Sequence, residues 1–486
     1  MVLILLFLFF GVNVCDESRN VFPYLSDLED LLNLEISLLS KLEQYTESLE
    51  SQIAYSEKTL HHINEIHSED SNEENHPFAF YRLITRFTED WLQIEEKSKE
   101  SFTLLTDNDR IPSNKEYLET LFVLAKLQKE YQLSTSDLVN GKIAEIQTNA
   151  SFSWQESLSF GYELYRAGLN NQSQPWFREG MRGFFEEGLT DMNLMDSIRK
   201  IADHIGDDDL SKLLKNQILK QNANFNFIAV KNKVSATDFS PYGEVIEDKL
   251  CRGENLTVFN NLTCTFIHYN NPYLIIGPHK LEVLHEEPFI GMIHSVLSDV
   301  EIRDIEYNSR GKLQRSMVLG PTNEVFQYHK GRTSTSGHLN DKKLLDKLIF
   351  RMANMTNLEV ARFPDDYLTI TNYGIGSFYK THHDIFFTDI DEKKGNRIAT
   401  VMFYLSEVDV GGSTVFPDLH LNVKPRKGSA LVWFNLKRSG AHNLQMRHAA
   451  CSLVKGEKLI ATYWISERGN EFKKPCGLNE GDLISL

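Results

Sequence analysis

Between Leu25 and Ile63 apolar side chains recur on alternating three- and four-residue steps: Leu25, Leu28, Leu32, Leu39, Leu42, Leu49, Ile53, Leu60 and Ile63, with Glu35, Thr46 and Ser56 as interruptions. Nine apolar residues at twelve such positions predict a long helix. Its stripe suits a coiled-coil seam or an amphipathic face packed on its own domain, and periodicity does not choose between them. A polar stretch from Ser68 to Asn75 breaks the pattern, and helical segments follow around Phe80 to Glu96 and Tyr117 to Tyr131.

Beyond a polar linker near residues 134–152 the chain reads as short helices of repeat-like length. Phe160-Gly161 with Gly168 resembles part of a tetratricopeptide repeat, in which small residues let paired helices approach closely, and Gly206 would close a second pair. A generic helical hairpin is the simpler alternative. After about residue 235 the texture changes to short runs rich in Val, Ile, Tyr, Phe and Thr, among them Thr400–Leu405, Ala430–Phe434 and Leu459–Ile465. Turns such as Asn270-Asn271-Pro272, Gly374-Ile375-Gly376 and Gly411-Gly412 separate them. This pattern predicts a double-sheet β structure flanked by helices near Leu297 to Glu306 and Lys343 to Asn354.

At 486 residues and 41% hydrophobic content, the chain has enough apolar material for more than one core. Its formal charge of −17, without a long basic run, disfavours nucleic acid as a partner. The opening run Val2 to Phe10 is too short to span a bilayer and suits the apolar core of a signal peptide, here residues 1–15, although the usual positive charge before it is missing. No later stretch is long and apolar enough for a membrane helix. Sequons at Asn149, Asn171, Asn255, Asn261 and Asn354 agree with passage through the endoplasmic reticulum. Loss of Cys15 with the leader would leave Cys251, Cys264, Cys451 and Cys476, which an oxidising compartment would pair. Sequence proximity favours Cys251 with Cys264 and Cys451 with Cys476, one of three connectivities.

Candidate chemistry lies inside the β region, at Tyr379-Lys380-Thr381-His382-His383-Asp384. On a strand, residues two apart share a face, so His382 and Asp384 could hold one metal ion while His383 points away. A further His would complete the two-His-one-carboxylate triad that suits Fe(II) and leaves positions open for other ligands. Alone, His-x-Asp is weak, since a hydrogen-bonded pair is the commoner meaning. Downstream, His448 precedes one strand, and Lys458 stands ten residues later at the mouth of another. A metal-bound 2-oxo acid with a second carboxylate needs a fixed cation at its far end, which a lysine supplies.

Five ordered blocks then carry a specific resemblance: Leu368 to Asp384 with its Asn372-Tyr373-Gly374-Ile375-Gly376, Gly395 to Thr400, Gly411 to Pro417, Arg447 to Cys451, and Glu467-Arg468-Gly469 to Pro475-Cys476. Together they resemble the catalytic domain of animal collagen prolyl 4-hydroxylase alpha subunits, and Asn271 to Leu274, Leu297 to Asp299, Asn75 to Phe80 and Ala125 to Gln128 extend the likeness over nearly the whole mature chain. The resemblance implies an α+β multidomain protein. Its parts would be an N-terminal helical, coiled-coil-like dimerisation domain at 16–134, a TPR-like peptide-substrate-binding domain at 150–228, and a double-stranded β-helix (jelly-roll) dioxygenase domain at 235–486.

By position, the resemblance makes His382, Asp384 and His448 the iron ligands, Lys458 the partner of the distal 2-oxoglutarate carboxylate, and Tyr373 a wall of the co-substrate pocket. It implies Fe(II) and 2-oxoglutarate, with L-ascorbate to rescue oxidised iron, and hydroxylation of peptidyl proline with release of succinate and CO2. It also implies the same cysteine pairing, and assembly with protein disulfide isomerase and a second alpha subunit as a heterotetramer in the endoplasmic reticulum lumen.

The chain departs from the family around its first ligand, with Lys380-Thr381 for Glu-Pro and His383 for Phe. That keeps open a catalytically weak or inactive peptide-binding and assembly subunit; a hydrolytic zinc enzyme is a further alternative, in which Lys458 would lose its purpose. A second departure concerns substrate. Ser197, Lys200 and Asp203 stand where relatives carry tyrosines that receive a polyproline II ligand, so long Pro-Pro-Gly polymers are expected to bind poorly unless Tyr162, Tyr165, Trp176 and Phe177 supply an equivalent surface.

Overall fold

The computed structural model describes residues 25–48, 57, 59–61, 63, 64, 77–98, 111–223, 225, 227, 246–254, 262–309, 311–319, 326, 327, 331–339, 341–360, 367–388, 392–477, 479 and 481–486. The expected leader at 1–15 and the sequons at Asn255 and Asn261 lie outside these residues.

The first part of the stripe forms α1 (Leu25–Ser48), while Leu49, Ile53 and Ser56 lie outside the described residues; α1 lies against α2 (Pro77–Thr85) and the π-helical turn at Arg86–Asp90, which α3 (Trp91–Ser98) follows. Leu32, Leu39 and Leu42 are buried within this chain, so this part of the stripe is covered by its own domain. The polar interruption at Glu35 is also buried, and its carboxylate takes two hydrogen bonds from the Arg86 guanidinium, at 2.6 and 3.1 Å. Helix α4 (Asn114–Glu130) starts at a capping box in which Ser113 and Glu116 satisfy each other's backbone N–H.

Residues 134–152, expected as a linker, instead form α5 (Thr135–Val139) and a ribbon of β1 (Lys142–Ile143) and β2 (Ile146–Gln147). Buried Leu138, Ile143 and Phe152 anchor this stretch, and the Phe152 ring packs against Phe78, Phe160 and Trp176. Such isolated apolar residues among polar ones carry no period, which is why the pattern read as a linker. The helices α6 (Trp154–Arg166), α7 (Asn170–Glu186), α8 (Met192–Ile205) and α9 (Asp208–Gln221) then pack as two successive pairs. Gly161 permits the closeness of α6 and α7: a Cβ there would sit 3.1 Å from Trp176 Cβ.

The C-terminal half, after α10 (Ile246–Cys251), is antiparallel β structure. A nine-stranded sheet runs, in order, β3 (Cys264–Ile267), β4 (His279–His285), β5 (Ile290–His294), β16 (Ala430–Phe434), β12 (Arg397–Tyr404), β19 (Lys458–Ser466), β10 (Thr369–Tyr373), β9 (Thr335–His338) and β6 (Gln314–Arg315). Opposite lies a four-stranded sheet of β11 (Tyr379–His382), β17 (His448–Ala450), β14 (Thr414–Phe416) and β15 (Leu421–Val423). Two small ribbons, β7 (Val318–Leu319) with β8 (Phe326–Gln327) and β13 (Val408–Gly411) with β18 (Leu453–Gly456), complete the set. Helix α11 (Pro272–Ile276) follows β3; α12 (Asp299–Ser309) and α13 (Lys342–Thr356) lie close to their expected positions and cover the outer face of the large sheet.

Strand alternation sorts the two faces. Val401, Phe403, Val432, Phe434, Ala461 and Tyr463 join the helix-covered core, whereas Met402, Tyr404, Leu431, Trp433 and Ile460 face the small sheet's Phe416, Leu421 and Val423. Lys458, two residues before Ile460, is thereby directed between the sheets with this second set.

The cysteine connectivity corrects the expectation. Cys251 is bonded to Cys451, with Cα atoms 5.6 Å apart, and Cys264 and Cys476 are free and exposed. The proximity pairing of Cys251 with Cys264 and of Cys451 with Cys476 fails because α10 packs on β14 and β15, which brings Cys251 into one apolar cluster with Val415, Ala449 and Cys451. Cys264 opens the edge strand of the large sheet instead.

Candidate active site

His382 ends β11 and His448 opens β17, and the register of these neighbouring strands places the two residues opposite each other. Asp384 lies just beyond the strand end, yet the alternation expected of His-x-Asp holds. Its Oδ1 is 3.8 Å from His382 Nε2 and its Oδ2 is 3.7 Å from His448 Nε2. The three ligand atoms lie within 4.8 Å of one another and could hold a metal ion.

Surrounding groups fix each of the three. The Nδ1 atoms of His382 and His448 lie 2.9 and 3.0 Å from the carbonyl oxygens of Lys380 and Met446, an arrangement that assigns the proton to Nδ1 and leaves Nε2 as the ligand atom. The Tyr379 ring stacks on His382 at 3.6 Å, with the Arg332 guanidinium 4.7 Å from the tyrosine's outer side. Trp433 and Phe416 flank the His448 ring at 4.9 and 5.6 Å. Thr400 donates to Asp384 Oδ2 at 2.8 Å and itself accepts from Asn435 Nδ2 at 2.9 Å.

The electrostatics favour metal binding, which needs neutral imidazole and ionised carboxylate. Burial, reinforced by His448 and opposed by Asp384, pushes the His382 imidazole down to about 3. Burial works against the Asp384 carboxylate, but the two imidazoles, Arg397 and the Thr400 hydroxyl outweigh it and hold the group below its ordinary range.

Across the barrel, Lys458 is the first residue of β19 and is paired in register with Tyr373. Its ammonium is 1% exposed, donates to Thr414 Oγ1 at 3.3 Å, stands 5.3 Å from the Tyr373 ring centroid, and has no carboxylate partner among the described residues. Burial pushes its pKa down to about 7. Trp433 Nε1 is buried with no acceptor among the described residues. A buried cation that meets no carboxylate among the described residues, and a donor without an acceptor on the ring that flanks His448, fit a small dicarboxylate that reaches from a metal to Lys458.

Thus the structure brings His382, Asp384 and His448 together and sets Lys458 beside Tyr373, whereas Thr400, Asn435, Arg332, Tyr379 and Trp433 carry no signal of a site role in the sequence. Thr400 and Trp433 sit inside runs that read as strand core, so only the fold reveals which way they face. The departing residues turn away from the ligand set: Lys380 is exposed, Thr381 donates to the Glu247 carboxylate, and His383 Nε2 lies 3.0 Å from the Leu444 carbonyl oxygen. On α8, Ser197 bonds to the Asn193 carbonyl, Lys200 pairs with Asp196, and Arg199 bridges Asp196 and Asp203. On α7, Trp176 and Phe177 are wholly buried, so of the four aromatic candidates only Tyr162, exposed, and Tyr165, bonded to His204, offer surface, both on α6.

Comparison with known proteins bears on the whole chain. Residues 24–145 match the family described as the prolyl 4-hydroxylase alpha-subunit N-terminal region, and residues 368–466 match the 2OG-Fe(II) oxygenase superfamily. Prolyl 4-hydroxylase subunit alpha-1 of Mus musculus is 26% identical, with 94% of this chain and 96% of the relative covered. Subunit alpha-2 of Gallus gallus is 27% identical (95% and 96% covered), and subunit alpha-2 of Caenorhabditis elegans 28% (95% and 94%). Among solved structures, a viral collagen prolyl hydroxylase from Paramecium Bursaria Chlorella virus-1 in its 2-oxoglutarate complex is 26% identical, covering 36% of this chain and 95% of the viral one at a TM-score of 0.29. With both family regions in order and similarity running nearly end to end, the chain is similar throughout to the prolyl 4-hydroxylase alpha subunits, and residues 368–466 make it a 2-oxoglutarate- and Fe(II)-dependent oxygenase.

Proposed function

We propose that the chain is the catalytic alpha subunit of a procollagen-proline 4-dioxygenase, in which His382, Asp384 and His448 hold Fe(II) and Lys458 receives the distal carboxylate of 2-oxoglutarate. The convergence of the three ligand atoms, together with a buried lysine that meets no carboxylate among the described residues, carries this reading. When bound, the iron supplies O2 activation coupled to decarboxylation of 2-oxoglutarate to succinate, with hydroxylation of peptidyl proline at C4. The chain's own residues orient and insulate. The Nδ1 bonds aim both imidazoles, Thr400 and Asn435 steady the Asp384 carboxylate, and the Tyr373, Trp433 and Phe416 rings keep the space beside them dry. Because Thr381 and His383 engage Glu247 and Leu444 and not the ligands, the departures do not favour an inactive subunit.

The reading extends to organisation. Residues 16–134 act as the dimerisation region, 150–228 as the peptide-substrate domain and 235–486 as the dioxygenase. The relatives are named alpha subunits, which supports a complex with a beta subunit; we assign that role to protein disulfide isomerase, in a heterotetramer with a second copy of this chain. The apolar run at 2–10 and exposed sequon residues Asn149 and Asn171 support a leader, glycosylation and residence in the endoplasmic reticulum lumen; Asn354 is a third described sequon. No helix among the described residues is long and apolar enough to cross a membrane. Ascorbate would serve to keep the iron reduced. The ion-paired face of α8 supports a preference for less proline-rich or more charged peptides.

The test is co-expression with protein disulfide isomerase and measurement of succinate released on addition of proline peptides. Peptide-dependent release supports the reading, and its absence from iron-loaded complex overturns it.

A further inference from the structure

Glu130 is a carboxylate in the last turn of α4 and is 3% exposed, a placement that both burial and the helix dipole disfavour. Lys126 on the same helix compensates part of this, and the rest comes from the β half of the chain. Glu130 Oε1 accepts the backbone N–H of Ser452 at 2.9 Å and Oε2 accepts the Ser452 hydroxyl at 2.7 Å. The next residue, Tyr131, donates its hydroxyl to the Ser452 carbonyl at 2.6 Å, and Lys126, one turn earlier, reaches both Glu130 and Ser452 Oγ. One helix end therefore holds the N–H, the C=O and the hydroxyl of a single, fully buried serine.

Ser452 lies between β17 and β18, four residues after His448 and six before Lys458. Its neighbour Leu453 exchanges hydrogen bonds with the loop that leads from Tyr373 to β11: Gly376 N–H reaches the Leu453 carbonyl at 2.6 Å and Leu453 N–H reaches the Ser377 carbonyl at 3.1 Å. That loop is pressed on the same helix, so closely that a Cβ on Gly376, at φ +72°, would lie 1.9 Å from Val123 Cγ1. Helix α4 is itself braced from behind by α7, through Trp176 Nε1 to Gln128 Oε1 at 3.0 Å and Gln172 Nε2 to the Ala125 carbonyl at 2.9 Å.

We propose that α4 is part of the active-site scaffold: Glu130 and Tyr131 are positioning residues that set the spacing of His448 and Lys458 by clamping Ser452. This inference rests on the reading of those two residues as iron and co-substrate ligands. Groups that orient metal ligands typically contribute roughly tenfold in affinity, so Glu130→Ala should raise the Kd for Fe(II) and for 2-oxoglutarate by about that factor. Tyr131→Phe should do so by a few-fold, and Glu130→Gln, which keeps an acceptor for the Ser452 N–H, should recover most of the loss. KM for the peptide should stay close to that of the unaltered chain, since the clamp bonds run from Glu130 and Tyr131 to Ser452 and none of them involves α8.

The measurement is anaerobic binding of Fe(II), and then of 2-oxoglutarate, to the full chain in its complex, with melting temperatures recorded alongside. Should Glu130→Ala fail to fold, Tyr131→Phe, which removes a single hydroxyl, decides alone. A lowered melting temperature with both binding constants unchanged overturns the clamp. If the unaltered chain binds no 2-oxoglutarate in an iron-dependent way, the functional reading itself fails and the clamp with it.

Discussion

Removal of the Lys458 ammonium should weaken 2-oxoglutarate use and spare the metal. The amine is buried between the sheets, its hydrogen bond goes to Thr414, and no carboxylate among the described residues meets it. A charge-assisted bond to the co-substrate is worth about 1.5–3 kcal/mol, so Lys458→Ala should raise KM for 2-oxoglutarate roughly ten- to hundredfold. The same burial dictates a pH dependence. In the protein alone the pKa falls from 10.5 to about 7, so between those values the unfolded chain holds a proton that the folded chain lacks, and stability rises with pH across the window. Lys458→Met should flatten that rise. An arriving carboxylate reverses the preference, since it favours the charged amine; co-substrate binding above pH ~7 should therefore take up a proton and weaken by up to about tenfold per pH unit. Succinate release at varied 2-oxoglutarate gives KM, and titration calorimetry in two buffers of different ionisation enthalpy gives the proton count. An unchanged 2-oxoglutarate KM in Lys458→Ala would remove this residue from co-substrate binding.

His382→Ala, Asp384→Ala and His448→Ala should each abolish succinate release, because two remaining ligands do not hold a facial centre; His383→Phe, which loses only the contact to the Leu444 carbonyl, should keep most activity. Full turnover in His382→Ala would refute the ligand assignment. Glu35→Ala removes the carboxylate bonded to the buried Arg86 guanidinium and should cost about 1.5–3 kcal/mol in denaturant unfolding, a value to be compared with the double change that removes both charges. Pro-Pro-Gly peptides should bind the full chain weakly in titrations, since the face of α8 carries ion pairs; affinity matching that of a tyrosine-bearing relative would show that Tyr162 and Tyr165 suffice.

Much of this site was legible before the fold was known, for reasons that are local. His382 and Asp384 share a face because strands alternate, and Lys458 falls on the barrel side because it shares parity with Ile460. What stayed hidden depends on long-range approach. Cys451 meets Cys251 because α10 crosses the small sheet, a packing that sequence proximity does not encode. Thr400 and Trp433 read as ordinary strand residues until the sheets face each other. The stripe of α1 is ambiguous in sequence between self-packing and a coiled-coil seam, and burial of Leu39, Leu42 and Glu35 covers its middle part within the chain. The docking of α4 on Ser452 had no sequence signal beyond an acidic residue in an unfavourable place.

The central claim is that these ligands couple 2-oxoglutarate decarboxylation to proline hydroxylation, and isotopic labelling tests it most directly. With 18O2 and a proline peptide, the iron-loaded complex should place one labelled oxygen in 4-hydroxyproline and the other in succinate, and Asp384→Ala should place none. Hydroxyproline without label, or succinate formed with no peptide hydroxylated by the unaltered enzyme, would contradict the account.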